Sequence, residues 1–410
     1  MSNHKVSLFS NKETSTMSGV SYKAFLLKRK IIFELATHHE QTVTELSATL
    51  NVSNPTITKL ISDLIAEGYV HEMGKIETAG GRRPQSYGLI SNAGYFIGID
   101  INDTHLNFAL IDINKEQLTI DMKIPFVANN DNSTIDKLTA QIDKFIEQNN
   151  LPKNRILGIG MSIRGRVDSS SGHSYNIFNF DQRPISEIIT EKTGVPTIIE
   201  NDTRAMAYAE WDTMGTDKIE NAIFINVGRG IGSGIIIDGK PYYGKSGFSG
   251  EFGHIPFFDN QKICPCGKKG CLETEVSGVA LENDFIHSLK NGASSILSDK
   301  YKQTGTVMLE DIIDAAGKDD VLSIELITSI GEKLGRGIGV LINLFNPELV
   351  VVGGSLSAVG DYLMLPIRTA LNKYSLSLVN RDSHLSLSTL GDTAGVIGAA
   401  LLARKRILEN

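Results

Sequence analysis

Apolar and polar positions between residues 25 and 68 alternate with the periods of three short amphipathic helices. The first predicted helix runs from Phe25 to Ala36. The second starts at Thr42, forms a capping box with Glu45, and ends at Asn51. The third follows Asn51-Val52-Ser53, with Ser53 as N-cap and Pro55 in its first turn, and stops at Gly68. Its predicted buried face is formed by Ile57, Leu60, Ile61, Leu64 and Ile65.

This order of helix, short turn and helix is typical of a helix-turn-helix domain. The third helix leaves small polar side chains and one cation exposed, which suits contacts with base edges and phosphates. The predicted DNA contacts of this helix are Asn54, Thr56, Thr58, Lys59 and Ser62.

A wing is predicted directly after the third helix. Tyr69–His71 and Ser86–Leu89 alternate like two strands around Gly80-Gly81-Arg82-Arg83-Pro84. Arg82 and Arg83 would then contact phosphates or a narrow minor groove. The alternative is a packing module of three helices with solvated charges, but the combination of helices and wing favours DNA binding.

Two glycine-punctuated hairpins follow in the body of the chain. The first runs from Tyr95 to Thr104 and into Leu106–Asp112, and the second spans Ile223–Ile235. In each, backbone N–H groups of a tight turn can face a phosphate. An apolar strand, Leu349–Val352, ends in Gly353-Gly354 and strengthens this interpretation.

Length and charge limit the possible functions. The chain has 410 residues, which favours two or three compact units. Its net charge is −7, yet the first 90 residues carry ten Lys and Arg against eight Asp and Glu. Nucleic-acid contacts are therefore expected only in that N-terminal segment. The apolar stretches are too short to cross a membrane and no signal region is evident, so we expect a cytoplasmic protein without membrane contacts.

All three cysteines of the chain lie within eight residues, Cys264-Pro-Cys266-Gly-Lys-Lys-Gly-Cys271, shortly after His254. One imidazole and three thiolates complete a tetrahedral shell, so the sequence predicts one structural Zn²⁺ held by His254, Cys264, Cys266 and Cys271. The alternative is a loop with three reduced thiols.

These motifs together resemble the ROK family of repressors, open reading frames and kinases. The matching stretches are Leu157–Asp168, Glu200-Asn201-Asp202, Gly250–His254, the cysteine cluster through Glu273, and Asn343–Pro347 before Gly353-Gly354. The resemblance implies an α/β fold: an N-terminal winged helix-turn-helix and a two-lobed, actin-like body of the sugar kinase and ribonuclease H type. The expected domains are a flexible arm at 1–21, the winged domain at 22–90, a smaller lobe at 92–202 completed by a C-terminal helix at 392–410, and a larger lobe with the zinc loop at 203–391.

The resemblance also implies sugar contacts, and those residues are present. They are Gly165, Asn201, Asp202, Glu251, His254 and Glu273. Carboxylates and an amide suit neighbouring sugar hydroxyls, and a metal-bound histidine presents its second nitrogen in a fixed direction.

The nucleotide site that the resemblance implies departs from the kinase pattern. Its residues are Asp100, Asn102, Asp103, Thr104, Gly228, Arg229, Gly230, Gly353 and Gly354. Family kinases carry glycines where this chain has Asn102 and Asp103, and an added carboxylate opposes a phosphate by on the order of 3 kcal/mol at 5 Å and a dielectric of 20. Arg229 replaces a threonine and could occlude the nucleotide or bind a phosphate. Asp202, however, matches the general base of the kinases.

We therefore expect a non-enzymatic regulator. It would be a repressor of carbohydrate uptake or catabolism genes, released from palindromic operator DNA by a sugar or sugar phosphate, and acting as a homodimer or dimer of dimers. The alternatives are an ATP-dependent sugar kinase of the same family and a bifunctional protein, because Asp202 is retained.

Overall fold

The computed structural model describes residues 8–9, 19–75, 83–215 and 219–409. The chain forms two compact units, one of Met1–Asn201 with Ala399–Asn410 and one of Asp202–Gly398. Across the described residues, no helix combines the length and apolar character needed to span a membrane.

The first unit begins with a winged helix-turn-helix. Its elements are α1 (Gly19–His38), β1 (Gln41–Thr42), α2 (Val43–Leu50), α3 (Asn54–Ala66), β2 (Val70–Lys75) and β3 (Gln85–Leu89). The strands form a three-stranded sheet in the order β1-β3-β2. The predicted capping box is present: Thr42 Oγ1 accepts from Glu45 N, and Thr42 N donates to the Glu45 carboxylate.

Two local predictions for these helices need correction, and Ser53 is confirmed as the N-cap by its position only. The helix predicted from Phe25 begins at Gly19 instead. Ser53 occupies the N-cap of α3, but its hydroxyl pairs with Thr56 Oγ1 and caps no backbone N–H. Ile65 is 39% exposed, because Ile57, Leu60, Ile61 and Leu64 already complete the buried face.

The body portion of the first unit is a five-stranded mixed sheet covered by helices. In chain order its elements are β4 (Tyr95–Ile101), β5 (His105–Asp112), β6 (Gln117–Pro125), α4 (Asn132–Gln148), β7 (Ile156–Ile163), β8 (Val167–Asp168), β9 (His173–Ser174), α5 (Ile185–Thr193) and β10 (Thr197–Asn201). The sheet order is β10-β7-β4-β5-β6, and β8 pairs separately with β9. The stacked rings of Phe108 and Phe145 lie in its core. The parallel strands β7 and β10 end opposite each other at Ile163 and Asn201, so the end of β10 and the residues that follow β7 lie at the same edge of the sheet.

The second unit repeats this design around another five-stranded sheet. Its elements are α6 (Asp202–Thr213), β11 (Ala222–Val227), β12 (Ile231–Ile237), β13 (Lys240–Pro241), α7 (Glu273–Val276), α8 (Gly278–Lys290), α9 (Ser298–Thr304), α10 (Leu309–Ala316), α11 (Val321–Phe345), β14 (Leu349–Gly353), α12 (Asp361–Tyr374), α13 (Ser377–Asp382) and β15 (His384–Leu387). The sheet order is β13-β12-β11-β14-β15. The long helix α11 contributes Leu334 and Ile338 to its core.

The last helix, α14 (Ala394–Glu409), starts in the second unit and continues in the first from Ala399 onward. In the first unit it packs very closely on β7. A Cβ at Gly160 would lie 1.9 Å from Ala399 O, so only glycine permits this approach.

Candidate functional site

One histidine and three cysteines of the second unit form a cluster that could hold a metal ion. The ligand atoms of His254, Cys264, Cys266 and Cys271 all lie within 4.8 Å of one another. His254 Nδ1 is 3.5 Å from Cys264 Sγ, and the Sγ atoms of Cys266 and Cys271 are 3.7 Å apart. An ion at about 2.3 Å from sulfur and about 2.0 Å from nitrogen separates tetrahedral ligands by roughly 3.5 to 3.8 Å. Both ligand pairs therefore have the spacing of a tetrahedral site.

A tight turn brings the cysteines together. Gly267 N donates to Cys264 O, and Cys264 N donates to Lys268 O, both at 2.8 Å. Gly270 has a φ of +73°, and a Cβ there would lie 2.3 Å from Phe258 O. Only glycine therefore allows the chain to turn back to Cys271.

The protein environment of Cys264 favours the neutral thiol. Burial raises the pKa of the Cys264 thiol to about 12, and the charge of Glu273 acts in the same direction. A metal ion reverses this preference, because coordination stabilises the thiolate.

Two of the predicted sugar contacts border this cluster. Glu251 Oε2 is 3.7 Å from His254 Nε2, the ring nitrogen that does not face Cys264. Glu273 Oε1 is 3.6 Å from Cys264 Sγ, and its Oε2 accepts from Ile231 N at 3.0 Å. The structure thus brings Glu251, His254 and Glu273 together. Asp202, in the same unit, is the first residue of α6.

Arg204 was not identified as a functional residue from the sequence. It is buried in α6, two residues after Asp202, and its Nη1 donates to Gly247 O at 2.7 Å. Its guanidinium also lies 5.5 Å from the ring centre of Tyr243. Arg204 therefore anchors the loop that leads to Glu251. The sequence gave no sign of this role for Arg204, because its carbonyl partner, Gly247 O, is distant in sequence.

The predicted contacts Gly165 and Asn201 lie together in the first unit. Asn201 Nδ2 donates to Gly165 O at 2.9 Å, and Asn201 N donates to Glu200 Oε1 at 2.8 Å. Glu200 is 1% exposed and forms an ion pair of 2.7 Å with Arg406 Nη2 on α14. Arg406 was not identified from the sequence, since 206 positions separate it from Glu200.

The first predicted phosphate hairpin has its acidic residue fully engaged. Asp100 is buried, and its Oδ1 accepts from Ser162 Oγ at 2.8 Å. Its Oδ2 accepts from Asn102 Nδ2 at 2.7 Å and from Asn107 Nδ2 at 3.1 Å. Burial raises the pKa of Asp100, although these bonds oppose the shift. The side chain of Asn102, where the resemblance led us to expect glycine in a kinase, therefore occupies one oxygen of this carboxylate.

Asp103, the second replacement, is paired with a cation. Its Oδ2 is 2.7 Å from Arg164 Nη1, and its side chain is 64% exposed. Solvent and Arg164 together reduce its repulsion of a phosphate to about 1 kcal/mol or less, below the 3 kcal/mol expected from the sequence. Thr104, the next residue, places its hydroxyl 3.2 Å from His105 Nδ1.

In the second hairpin, Arg229 pairs with an acidic residue of α8. Arg229 Nη1 lies 3.2 Å from Glu282 Oε1, which also accepts from Leu309 N at 2.8 Å. The turn closes with Gly228 N donating to Gly230 O, and Gly228 O accepts from Gly278 N. Gly353 ends β14, and Gly354 follows with a φ of +84°.

The predicted DNA-contacting side chains of α3 share its exposed face. These are Asn54, Thr56, Thr58, Lys59 and Ser62. Thr58 Oγ1 donates to Asn54 O and Ser62 Oγ donates to Thr58 O, so both hydroxyls use their proton within the helix. Arg83 is exposed, whereas Arg82 lies outside the described residues.

Comparisons with known proteins cover both parts of the chain. Residues 96–406 match the family described as ROK family, and residues 26–71 match a family described as winged helix-turn-helix DNA-binding. A xylose repressor of Caldicellulosiruptor bescii is 29% identical over 371 residues, 89% of this chain and 92% of that protein. A glucokinase of Halalkalibacterium halodurans is 30% identical over 317 residues, 76% of this chain and 96% of the glucokinase. A solved ROK family transcriptional regulator, a homologue of the E. coli MLC protein, aligns with a TM-score of 0.78 at 27% identity, over 93% of this chain and 96% of its own.

Proposed function

This chain belongs to the ROK family and carries a winged helix-turn-helix before the family's body, and we propose that it is a sugar-responsive transcriptional repressor. The observation that carries the proposal is the winged domain with its exposed polar helix α3. The glucokinase is matched over nearly its whole length by only 76% of this chain, whereas the xylose repressor extends over 89%. Residues 26–71 match the winged helix-turn-helix DNA-binding family, and we infer that this segment reads the operator.

Operator binding requires two copies of the winged domain. One recognition helix contacts only a few base pairs, so a palindrome read by a homodimer, or by a dimer of dimers, supplies the specificity. The proposed base and phosphate contacts are those of α3, and the arginines of the wing add contacts to the backbone or minor groove. This activity belongs in the cytoplasm.

The effector is a sugar or a sugar phosphate. Within the second unit, Glu251, His254 and Glu273 are the proposed hydroxyl partners, together with Asp202. Within the first unit the proposed contacts are Gly165 and Asn201, which are already joined by a hydrogen bond. The names of the relatives differ in their sugar, so a panel of sugars is the appropriate probe.

The metal is a structural Zn²⁺. Three thiolates and one imidazole are the donor set of structural zinc sites, and four protein ligands leave no open position for hydrolytic chemistry. When bound, the ion would fix the Nδ1 side of His254 and thereby aim Nε2 beside Glu251.

Sugar phosphorylation is the second candidate function, and the similarity to a glucokinase supports it. The first hairpin argues against it mainly through Asn102, whose side-chain amide occupies Asp100. Asp103, which is exposed and paired with Arg164, adds only a small repulsion. Arg229 is likewise held by Glu282. We therefore propose that Asp202 serves as a hydroxyl acceptor and not as a catalytic base.

The proposal is tested with a palindromic duplex selected from a random pool against the purified protein. Fluorescence anisotropy would measure its affinity alone and with D-xylose, D-glucose, N-acetyl-D-glucosamine and their phosphates. We expect one compound to weaken DNA binding 5-fold to 150-fold. A protein that selects no duplex, or one that phosphorylates a sugar at about 1 per second with no effect of sugar on DNA binding, would contradict it.

A further inference from the structure

Arg404 and Arg406 project from the C-terminal helix α14 toward different parts of the first unit. They are two positions apart, and side chains at this spacing lie on nearly opposite sides of a helix. Arg406 contacts β10 and its neighbours, whereas Arg404 contacts the winged domain. A single turn of α14 is therefore held between β10 on one side and the winged domain on the other.

On one side, Arg406 supports the proposed effector contact Asn201. Its Nη2 pairs with Glu200 Oε2 at 2.7 Å, and its Nη1 donates to Ser169 O at 3.2 Å. The other oxygen of Glu200 accepts from Asn201 N and from Ser169 Oγ, both at 2.8 Å. A displacement of Asn201 would therefore change the hydrogen bonds of the Glu200 carboxylate, which Arg406 holds.

On the other side, Arg404 closes the end of the first helix of the winged domain. Its Nη2 donates to Ala36 O, and its Nε donates to Ile113 O, both at 2.7 Å. Ala36 lies in the last turn of α1, where carbonyl groups have no partner within the helix. A buried guanidinium at this end also interacts favourably with the helix dipole. Arg29 of α1 adds a second link by donating to Ile407 O at 3.0 Å.

We propose that Arg404 and Arg406 are positioning residues through which effector binding at Asn201 changes the orientation of the winged domain. This inference rests on the proposed repressor function. The route is contiguous: Asn201, Glu200, Arg406, one turn of α14, Arg404 and the end of α1. The alternative route for the effector signal is the chain segment that connects the wing to β4. The route through Arg404 and Arg406 does not require strain in that segment.

The decisive variant is Arg404→Met, which keeps the length of the side chain and removes its donors. The sugar used is the one that raises the melting temperature of the wild-type protein. The measured quantity is the coupling factor, defined as the operator affinity without this sugar divided by the operator affinity with it. We expect this factor to fall from its wild-type value to below 2-fold, while sugar affinity stays within about 3-fold. Arg404→Lys, which restores the charge and one donor to Ala36, should recover part of the coupling.

Arg155→Met is the matched control. Arg155 also joins the winged domain to the body, since it donates to Glu67 O and Ala93 O and lies 5.0 Å from the ring centre of Tyr69. It does not lie on α14, so this variant should retain the wild-type coupling factor even if operator affinity falls. Equal loss of coupling in both variants would show general loosening of the winged domain and overturn the inference.

A measurement on the wild-type protein covers the case in which Arg404→Met does not fold. Addition of the same sugar should increase hydrogen exchange at the end of α1 by several-fold, and unchanged exchange there would overturn the inference. A wild-type protein without any sugar effect on DNA would instead contradict the proposed function itself. A responsive wild type with full coupling in Arg404→Met contradicts only the route.

Discussion

Asn102 donates its side-chain amide to Asp100 at 2.7 Å, at a position where the family resemblance led us to expect glycine in a kinase. The bond fills part of a buried carboxylate that already accepts from Ser162 and Asn107. Because of Asn102, the phosphate hairpin offers neither a free Asp100 carboxylate nor a turn without side chains. This is the structural basis for the proposed absence of phosphoryl transfer.

The first prediction concerns nucleotide binding. The wild-type protein should show no ATP binding below about 1 mM, an affinity weaker than roughly −4 kcal/mol. The double variant Asn102→Gly with Asp103→Gly should bind ATP measurably more tightly in calorimetry, because it removes the amide and the carboxylate together. Asn107→Ala is the control, since it removes another donor to Asp100 outside the turn. Micromolar ATP binding by the wild-type protein would contradict this explanation.

The second prediction concerns the metal. Elemental analysis should find about one zinc per chain. Cys266→Ser should lower this content and weaken sugar binding, because His254 belongs to the cluster and Glu273 borders it. Lys268→Ala changes an exposed side chain of the same turn and should leave both quantities unchanged. Zinc loss without any change in sugar affinity would separate the metal from the proposed effector site.

The third prediction concerns Arg204. Arg204→Met removes a buried donor to Gly247, so the loop before Glu251 should lose its anchor. A hydrogen bond from a charged group contributes about 1.5 to 3 kcal/mol, so sugar affinity should fall about 10-fold to 150-fold. The exposed Arg183→Met, which loses only surface ion pairs with Asp181 and Glu191, should have no effect. Calorimetry with the identified sugar distinguishes the two variants.

The fourth prediction concerns DNA contacts. Lys59→Ala should weaken operator binding and lower the salt slope by about 1, because one released counterion is lost. Lys302→Ala, an exposed cation of α9, should leave the slope unchanged. If the double variant Arg82→Ala with Arg83→Ala keeps the wild-type operator affinity, the proposed role of the wing is wrong.

The fifth prediction concerns stability at low pH. Asp320 caps α11: its Oδ2 accepts from Ser323 N at 3.0 Å and its Oδ1 from Ile296 N at 2.9 Å. Burial alone would raise the pKa of Asp320, but these hydrogen bonds outweigh it and lower the pKa. A lowered folded-state pKa stabilises the protein above the unfolded value of about 3.9, and this contribution is lost as pH falls through the folded value.

Asp320→Ala should therefore reduce the free energy of unfolding at pH 7 by about 1 to 2 kcal/mol. The difference between variant and wild type should shrink below about pH 4. Urea unfolding at several pH values measures both effects. A difference that stays constant from pH 7 to pH 3 would show that the ionised carboxylate contributes nothing to the cap.

Much of this protein could be predicted from the sequence because the relevant signals are local. The Thr42 capping box, the two glycine hairpins and the cysteine turn each depend on residues that are close in sequence, where spacing specifies geometry. The family resemblance added the prediction of a two-lobed α/β body after the winged domain. Burial at the margin of a helix was less predictable, as Ile65 shows, because its exposure depends on what packs beside α3.

The contacts proposed to connect sugar and DNA binding were decided only by tertiary structure. Arg404 and Ala36 are 368 positions apart, and Arg406 and Glu200 are 206 apart. The pairing of Arg229 with Glu282 in the second hairpin, 53 positions apart, was likewise decided by tertiary structure. An arginine in an amphipathic helix is, by sequence, an ordinary solvated charge. Only the folded chain brings a carbonyl or carboxylate to it and excludes water, and that environment converts an ordinary cation into a specific hydrogen-bond donor.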